Sequence, residues 1–222
     1  MKTIAIIPAR GGSKRLPKKN ILLLGEISLI VHSIFFAQKH DFISEVYVST
    51  DDEEIKSIAT QYGAIAIDRP IELSGDLEPT VSALKHVLEN VQDVENVILL
   101  QATNPLRPEK MLEEAFQIFQ ENNCESLFTV SQNHHKLGKI SNNKFQPFNY
   151  TIGQRSQDLE PLFYENGLLY ITKAKLIKND IIISENAYPY QINHIFASVD
   201  IDTKEDFEYA EYLYNKLITH NS

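Results

Sequence analysis

The chain has 222 residues, 43% hydrophobic and 23% charged, ordinary globular proportions that fit one generous domain, 1–222, at roughly 150 residues per domain. Acidic residues outnumber basic ones 30 to 21, for a net charge of −9, which argues against coating nucleic acid or anionic lipid, and the single cysteine, Cys124, rules out a disulfide-stapled fold. The notable uncharged stretch at 27–38 is too short to span a bilayer, and residues 1–8 lack a signal peptide's apolar core and cleavage pattern, so a cytoplasmic protein with no membrane partner is expected.

Residues 4–8 read as a buried strand and 28–39 as a helix. A short strand at 46–49 opens at Asp51 into a helix to about Tyr62, with Asp51 as N-cap and Glu54 completing a capping box. Strand candidates follow at 64–67, 96–100 and 126–131. Helical periods lie between them, at 80–91 (Val81, Leu84, Val87 and Leu88 on one face) and at 109–120. The alternation breaks over about 134–161, where Asn142-Asn143 and two prolines predict a hairpin or excursion. It returns as strands at 168–172 and 195–199. A last helix starts at Thr203, has Asp206 three residues later, and turns Phe207, Ala210, Tyr214 and Leu217 inward. Strands alternating with helices of ten or more residues predict an α/β fold, a mainly parallel sheet flanked by helices, with ligands at the carboxyl ends of the strands.

One segment stands out there. Pro8-Ala9-Arg10-Gly11-Gly12-Ser13-Lys14-Arg15-Leu16-Pro17-Lys18-Lys19-Asn20 directly follows the first strand and holds five of the 21 basic residues of an acidic chain. Adjacent glycines let backbone N–H groups approach a ligand, and Arg10, Lys14, Arg15 and Lys19 suit a polyphosphate. The spacing is neither a Walker A loop nor a Gly-x-Gly-x-x-Gly fingerprint. A merely solvated basic loop is the plain alternative.

This segment resembles the signature of the acylneuraminate cytidylyltransferases, the CMP-sialic acid synthetases and their close relatives. Five further segments resemble the same family in order: Val48-Ser49-Thr50-Asp51-Asp52; Arg69-Pro70 through Thr80-Val81-Ser82; Leu99-Leu100-Gln101-Ala102-Thr103-Asn104-Pro105-Leu106-Arg107, similar to Leu-Gln-Pro-Thr-Ser-Pro-Leu-Arg; Asn166-Gly167-Leu168-Leu169-Tyr170-Ile171; and Ser198-Val199-Asp200-Ile201-Asp202-Thr203. The resemblance implies a Rossmann-like nucleotide-diphospho-sugar transferase fold. It also implies transfer of CMP from CTP to an acidic α-keto sugar such as sialic, legionaminic or pseudaminic acid. The sister enzymes acting on deoxy-manno-octulosonate (KDO) or its 8-amino form are the runner-up, and a catalytically dead sugar-nucleotide binder is the non-enzyme alternative.

Asp200 and Asp202, two apart at the end of the apolar strand expected at 195–199, should point to one face, where paired carboxylates suit Mg²⁺ at a phosphate site. Capping of the next helix is the alternative role for Asp202. The resemblance makes both residues Mg²⁺ ligands, with Arg10, Lys19 and Asp200 as the catalytic set. It places the nucleotide on Ala9, Arg10, Gly11, Gly12, Ser13, Lys14, Lys19, Asn20, Arg69 and Ser82, and the sugar on Gln101, Arg155, Asn166 and Tyr170. Arg107 reads as structural, and the pair His134-His135 is too isolated for a zinc site. Two departures, Tyr164-Glu165 before Asn166 and a loose match around His134, point to a modified sugar, one bearing an amine or a different nonulosonic acid. The resemblance further suggests a homodimer through the 134–161 excursion, with Arg155 serving the neighbouring subunit.

Overall fold

The first strand shows why a short apolar run folds here as a central strand. In β1 (Lys2–Pro8) the residues Ile4, Ala5, Ile6 and Ile7 are all fully buried, because both faces of the strand are covered. Ala5 and Ile7 belong to one core cluster and Ile4 and Ile6 to another. The computed structural model describes residues 2–220, and side chains to residue 217.

After β1 come β2 (Leu23–Leu24), β3 (Ile27–Ser28), α1 (Leu29–Gln38), β4 (Glu45–Thr50), α2 (Glu53–Gln61), β5 (Ile65–Asp68), α3 (Thr80–Asn90), β6 (Val94–Leu99), α4 (Met111–Glu121) and β7 (Ser126–Asn133). The excursion is the hairpin β8 (Gly138–Ser141) and β9 (Lys144–Pro147). The chain then returns through β10 (Leu162–Lys173), α5 (Ala174–Ile177), β11 (Tyr188–Gln191) and α6 (Lys204–His220). Seven strands form one sheet in the order β11-β7-β10-β6-β1-β4-β5. Only β10 runs antiparallel to its neighbours, so the sheet is mainly parallel, as expected. One face is packed by α1 and α4, the other by α3 and α5.

Register places the site. Pro8 pairs with Ser49, Ile6 with Leu99 and Thr50 with Asp68, so β1, β4, β5 and β6 end along one edge. β10 reaches the same edge from the other direction, and its pairing with β7 breaks between Glu165 and Tyr170, where Gly167 takes φ +76. A third apolar cluster, which includes Leu24, Leu106, Phe196, Val199, Ile201 and Leu213, docks α6 beside that edge.

The structure corrects three sequence expectations. Residues 195–198 form a 3-10 turn and 199–203 an irregular segment, not a strand, because the apolar side chains there fill the α6 cluster rather than a sheet face. Asp52 rather than Asp51 caps α2, accepting from Glu54 N at 2.9 Å and Ile55 N at 3.0 Å. In α6 it is Leu213 (2% exposed) that turns inward, while Leu217 remains 38% exposed. Among the described residues no helix is long and apolar enough to cross a membrane.

Candidate active site

The basic loop is a packed structure. Ala9 N donates to Ser49 O (2.9 Å), Gly11 N to Asp51 Oδ1 (3.0 Å) and Asn20 Nδ2 to Arg10 O (2.9 Å), so the start of the loop is tied to the sheet edge and its end is tied back to that start. Release from capping leaves Asp51 available for this tie. A Cβ on Gly11 would lie 2.5 Å from Asp52 Oδ2, so only glycine fits there.

The loop's cations reach two distant carboxylates. Arg10 Nη2 lies 2.7 Å from Asp76 Oδ1, and Lys14 shares the same carboxylate. Lys19 Nζ lies 2.7 Å from Asp202 Oδ1 and Arg15 Nη2 2.5 Å from Asp202 Oδ2. Burial alone would raise the Asp202 carboxyl, but Lys19 and Arg15 outweigh it and hold the group below the usual carboxylate range. Between loop, carboxylates and sheet edge lies a cleft of about 270 Å³, lined by Arg10, Ser13, Lys14, Arg15, Lys19, Asn20, Arg69, Pro79, Thr80, Gln101, Thr103 and Asp202 among others. Arg69 is buried and gives Nη2 to Ser49 O at 3.1 Å, while its Nε has no protein partner, a donor left over at the cleft wall.

A second cavity, of about 410 Å³, opens on the other side of Gln101, which lines both; its remaining walls are Tyr164, Glu165, Asn166, Gly167, Tyr170, Ala197, Ser198 and Asp200. The two aspartates therefore straddle the pair, Asp202 in the cleft and Asp200 in the cavity. Asp200 has an open face toward its cavity, yet the surrounding protein still desolvates it and raises its carboxyl; the Thr103 hydroxyl works against that rise and the charge of Asp202 adds to it. Tyr170 is buried, and its hydroxyl donates to Glu165. Desolvation first, then this bond, raises the phenol, which stays neutral. The Asn166 amide is committed to β7 and its own turn. It accepts from Thr129 Oγ1 at 2.6 Å and Leu168 N at 3.2 Å and donates to Ser131 Oγ at 2.9 Å.

Five expected site residues, Ala9, Gly11, Gly12, Ser82 and Arg155, line neither space. Ser82 faces back to Pro79 O (2.8 Å), while its neighbours Pro79 and Thr80 line the cleft. Arg155 is exposed, pairs with Asp158 at 2.8 Å and borders neither space. Gly12 is exposed, with open space around its Cα. Arg107 is structural: it is buried, and its guanidinium donates to Leu168 O (2.9 Å), Ser33 Oγ (3.0 Å) and Gln101 O (2.8 Å), which locks Gln101 between the two spaces. The sequence tied Tyr164 and Glu165 to the sugar site, and both line the cavity; it missed Asp76 as the partner of Arg10 and Lys14, and Ser198 as a cavity wall. The only signal for Asp76 was its place in the resembling 69–82 segment.

A family model described as Cytidylyltransferase matches residues 4–222. The chain belongs to the cytidylyltransferase family. It is 33% identical over 215 residues to an N-acylneuraminate cytidylyltransferase of Streptococcus agalactiae serotype III (strain NEM316), covering 93% of this chain and 52% of that protein, so the chain spans about half the length of this relative. It is also 33% identical to a pseudaminic acid cytidylyltransferase of Campylobacter jejuni subsp. jejuni serotype O:23/36 (strain 81-176), covering 100% of this chain and 99% of that protein. A solved structure of a CMP:2-keto-3-deoxy-manno-octonic acid synthetase complexed with CTP superposes with a TM-score of 0.74 at 18% identity, over 97% of this chain and 99% of the other, and shows the same fold.

Proposed function

We propose that this cytidylyltransferase joins CTP to a nonulosonic acid, giving the CMP-sugar and pyrophosphate. The observation that carries the reading is the meeting of the loop cations with Asp202 in a cleft that shares Gln101 with a second, sugar-sized cavity holding Asp200. The triphosphate occupies the cleft, where Arg10, Lys14, Arg15 and Lys19 exchange carboxylate partners for phosphate oxygens. The backbone around Pro79 and Thr80 faces the base, and carbonyls there accept from cytosine's exocyclic amine, which uracil lacks. The sugar occupies the neighbouring cavity with its anomeric hydroxyl toward the α-phosphorus. That oxygen forms the new P–O bond and passes its proton to the Asp200 carboxylate, which lines the same cavity, and the α–β bridging bond breaks with its electron pair leaving on pyrophosphate. Arg10 and Lys19 balance charge on the transferring and leaving groups.

Asp200 and Asp202 fit Mg²⁺ as its protein ligands. They are hard oxygen donors at the boundary of the two spaces. Two carboxylates suit an ion that takes only one or two from the protein, and phosphate oxygens and water would supply its other ligands. When bound, the ion supplies positive charge to the reacting phosphates.

The acting unit is a homodimer in this reading. Leu137, Ile140, Phe145, Phe148 and Ile152 are exposed along and beside the β8–β9 hairpin, an apolar surface suited to a second copy, and Arg155 sits beside it, free of its own chain's cavities. Arg155 then meets the sugar carboxylate of the neighbouring site with two parallel hydrogen bonds.

The test is product formation from CTP and Mg²⁺ across sialic, legionaminic and pseudaminic acids, each in N-acylated and amino forms, and KDO and 8-amino-KDO, read by mass spectrometry and pyrophosphate release. A CMP-nonulosonic acid is expected. Turnover of KDO alone overturns the nine-carbon assignment, and CTP binding without turnover of any acid makes the protein a binder. Replacing CTP by UTP should remove most of the rate.

A further inference from the structure

Asp202 is held by cations, but Asp200 is fixed by something else. It lies between Val199 and Ile201, and both neighbours are hydrogen-bonded to one turn, residues 101–104, that follows β6. Ile201 N donates to Thr103 O at 2.9 Å, and Asn104 Nδ2 donates to Val199 O at 2.7 Å. These bonds fall on either side of Asp200 and hold its backbone against the sheet edge. Asn104 is fully buried, and its Oδ1 would lie 3.2 Å from a Cβ on Gly167, so the amide sits in a closed space between the Asp200 segment and the sugar-cavity turn.

We propose that Asn104 is a positioning residue for Asp200: its side-chain N–H, directed at Val199 O, sets where the Asp200 carboxylate stands at the boundary between nucleotide cleft and sugar cavity. The chemistry requires a donor. An aspartate would place an acceptor against the Val199 carbonyl in a buried space, and an alanine would leave that carbonyl without its partner. Serine keeps a donor on a shorter arm. The proposal rests on the function given above, because Asp200 acts there toward the metal and the α-phosphate. It goes further in assigning a position-setting role to a residue that touches neither.

The test uses the full chain with CTP and Mn²⁺ in place of Mg²⁺. Metal binding is read by electron paramagnetic resonance, alongside turnover with the accepted acid sugar. N104A and N104D should weaken CTP-dependent Mn²⁺ binding by about 10–100-fold, the usual cost of disturbing a group that orients a metal ligand, and lower kcat while leaving the KM for CTP within about twofold. N104S should recover most of the loss and serves as the folded variant if N104D fails to fold. In a D200N background, N104A should change Mn²⁺ binding no further, since the effect runs through Asp200. Unchanged Mn²⁺ affinity in N104A with only a lowered melting temperature overturns the proposal, as does a loss of the same size in the D200N background. Wild-type protein that neither binds Mn²⁺ with CTP nor turns over any acid sugar overturns the functional reading instead, a result separable from the first.

Discussion

Lys19 does the work of two residue types at once. Its ammonium holds Asp202, and in the proposed reaction it takes phosphate instead. A charge-assisted hydrogen bond of this kind contributes about 1.5–3 kcal/mol, so K19A should lower kcat/KM for CTP by about tenfold or more in steady-state kinetics. An unchanged value would remove Lys19 from the nucleotide site. Arg107 makes the opposite case, a buried cation that stabilises geometry rather than substrate. R107A leaves Leu168 O without its side-chain donor and cuts the ties to Ser33 Oγ and Gln101 O, and should cost about 3 kcal/mol by urea unfolding, and R107K should recover little, because an ammonium cannot span all three. The cations of the loop were legible in the sequence because five basic residues with two glycines are conspicuous in an acidic chain. Their partners were not. Asp76 lies 66 residues beyond Arg10 and Asp202 lies 183 beyond Lys19, and nothing local marks which acidic residue a fold will bring back.

Among the secondary elements, the helices were the most legible, since a buried stripe at 3.6-residue spacing fixes α3 and α4 to within two residues of expectation. The N-terminal cap of α6 was equally plain. Asp206 Oδ2 accepts from Thr203 N at 2.8 Å and Asp202 N at 3.0 Å, and Thr203 Oγ1 accepts from Asp206 N at 3.3 Å. Burial works to raise Asp206, yet these bonds depress it below its ordinary value. The group therefore contributes stability that is present above the unfolded carboxylate value of about 3.9 and is lost as pH falls through the depressed folded one. D206N should cost about 1 kcal/mol at pH 7, and the gap between variant and wild type in urea unfolding should shrink as pH drops below about 4. A gap constant with pH would contradict the cap's charge. β11 escaped notice because Pro189 interrupts its run, a residue tolerated on this edge strand next to β7. Residues 195–199 misled for a different reason: apolar spacing alone does not distinguish a strand from a turn that plugs a cluster beneath a helix.

The fold joins these parts into a divided site. The sheet edge carries the cationic loop on one side and the β10 bulge on the other, and the irregular segment before α6 supplies one aspartate to each space. A dimer built on the hairpin predicts that light scattering will give twice the chain mass and that placing a charge at Phe148 or Ile140 will shift the mass toward the monomer. It also predicts that R155A and D200N, each inactive alone, will recover activity when mixed. A stable, active monomer would contradict both. The most direct test of the central claim is a crystal structure of the protein with CTP and Mg²⁺. The triphosphate is expected against Arg10, Lys14 and Lys19, with Asp200 and Asp202 facing the α-phosphate across the boundary marked by Gln101. A nucleotide bound elsewhere, or a triphosphate out of reach of either aspartate, would contradict the account.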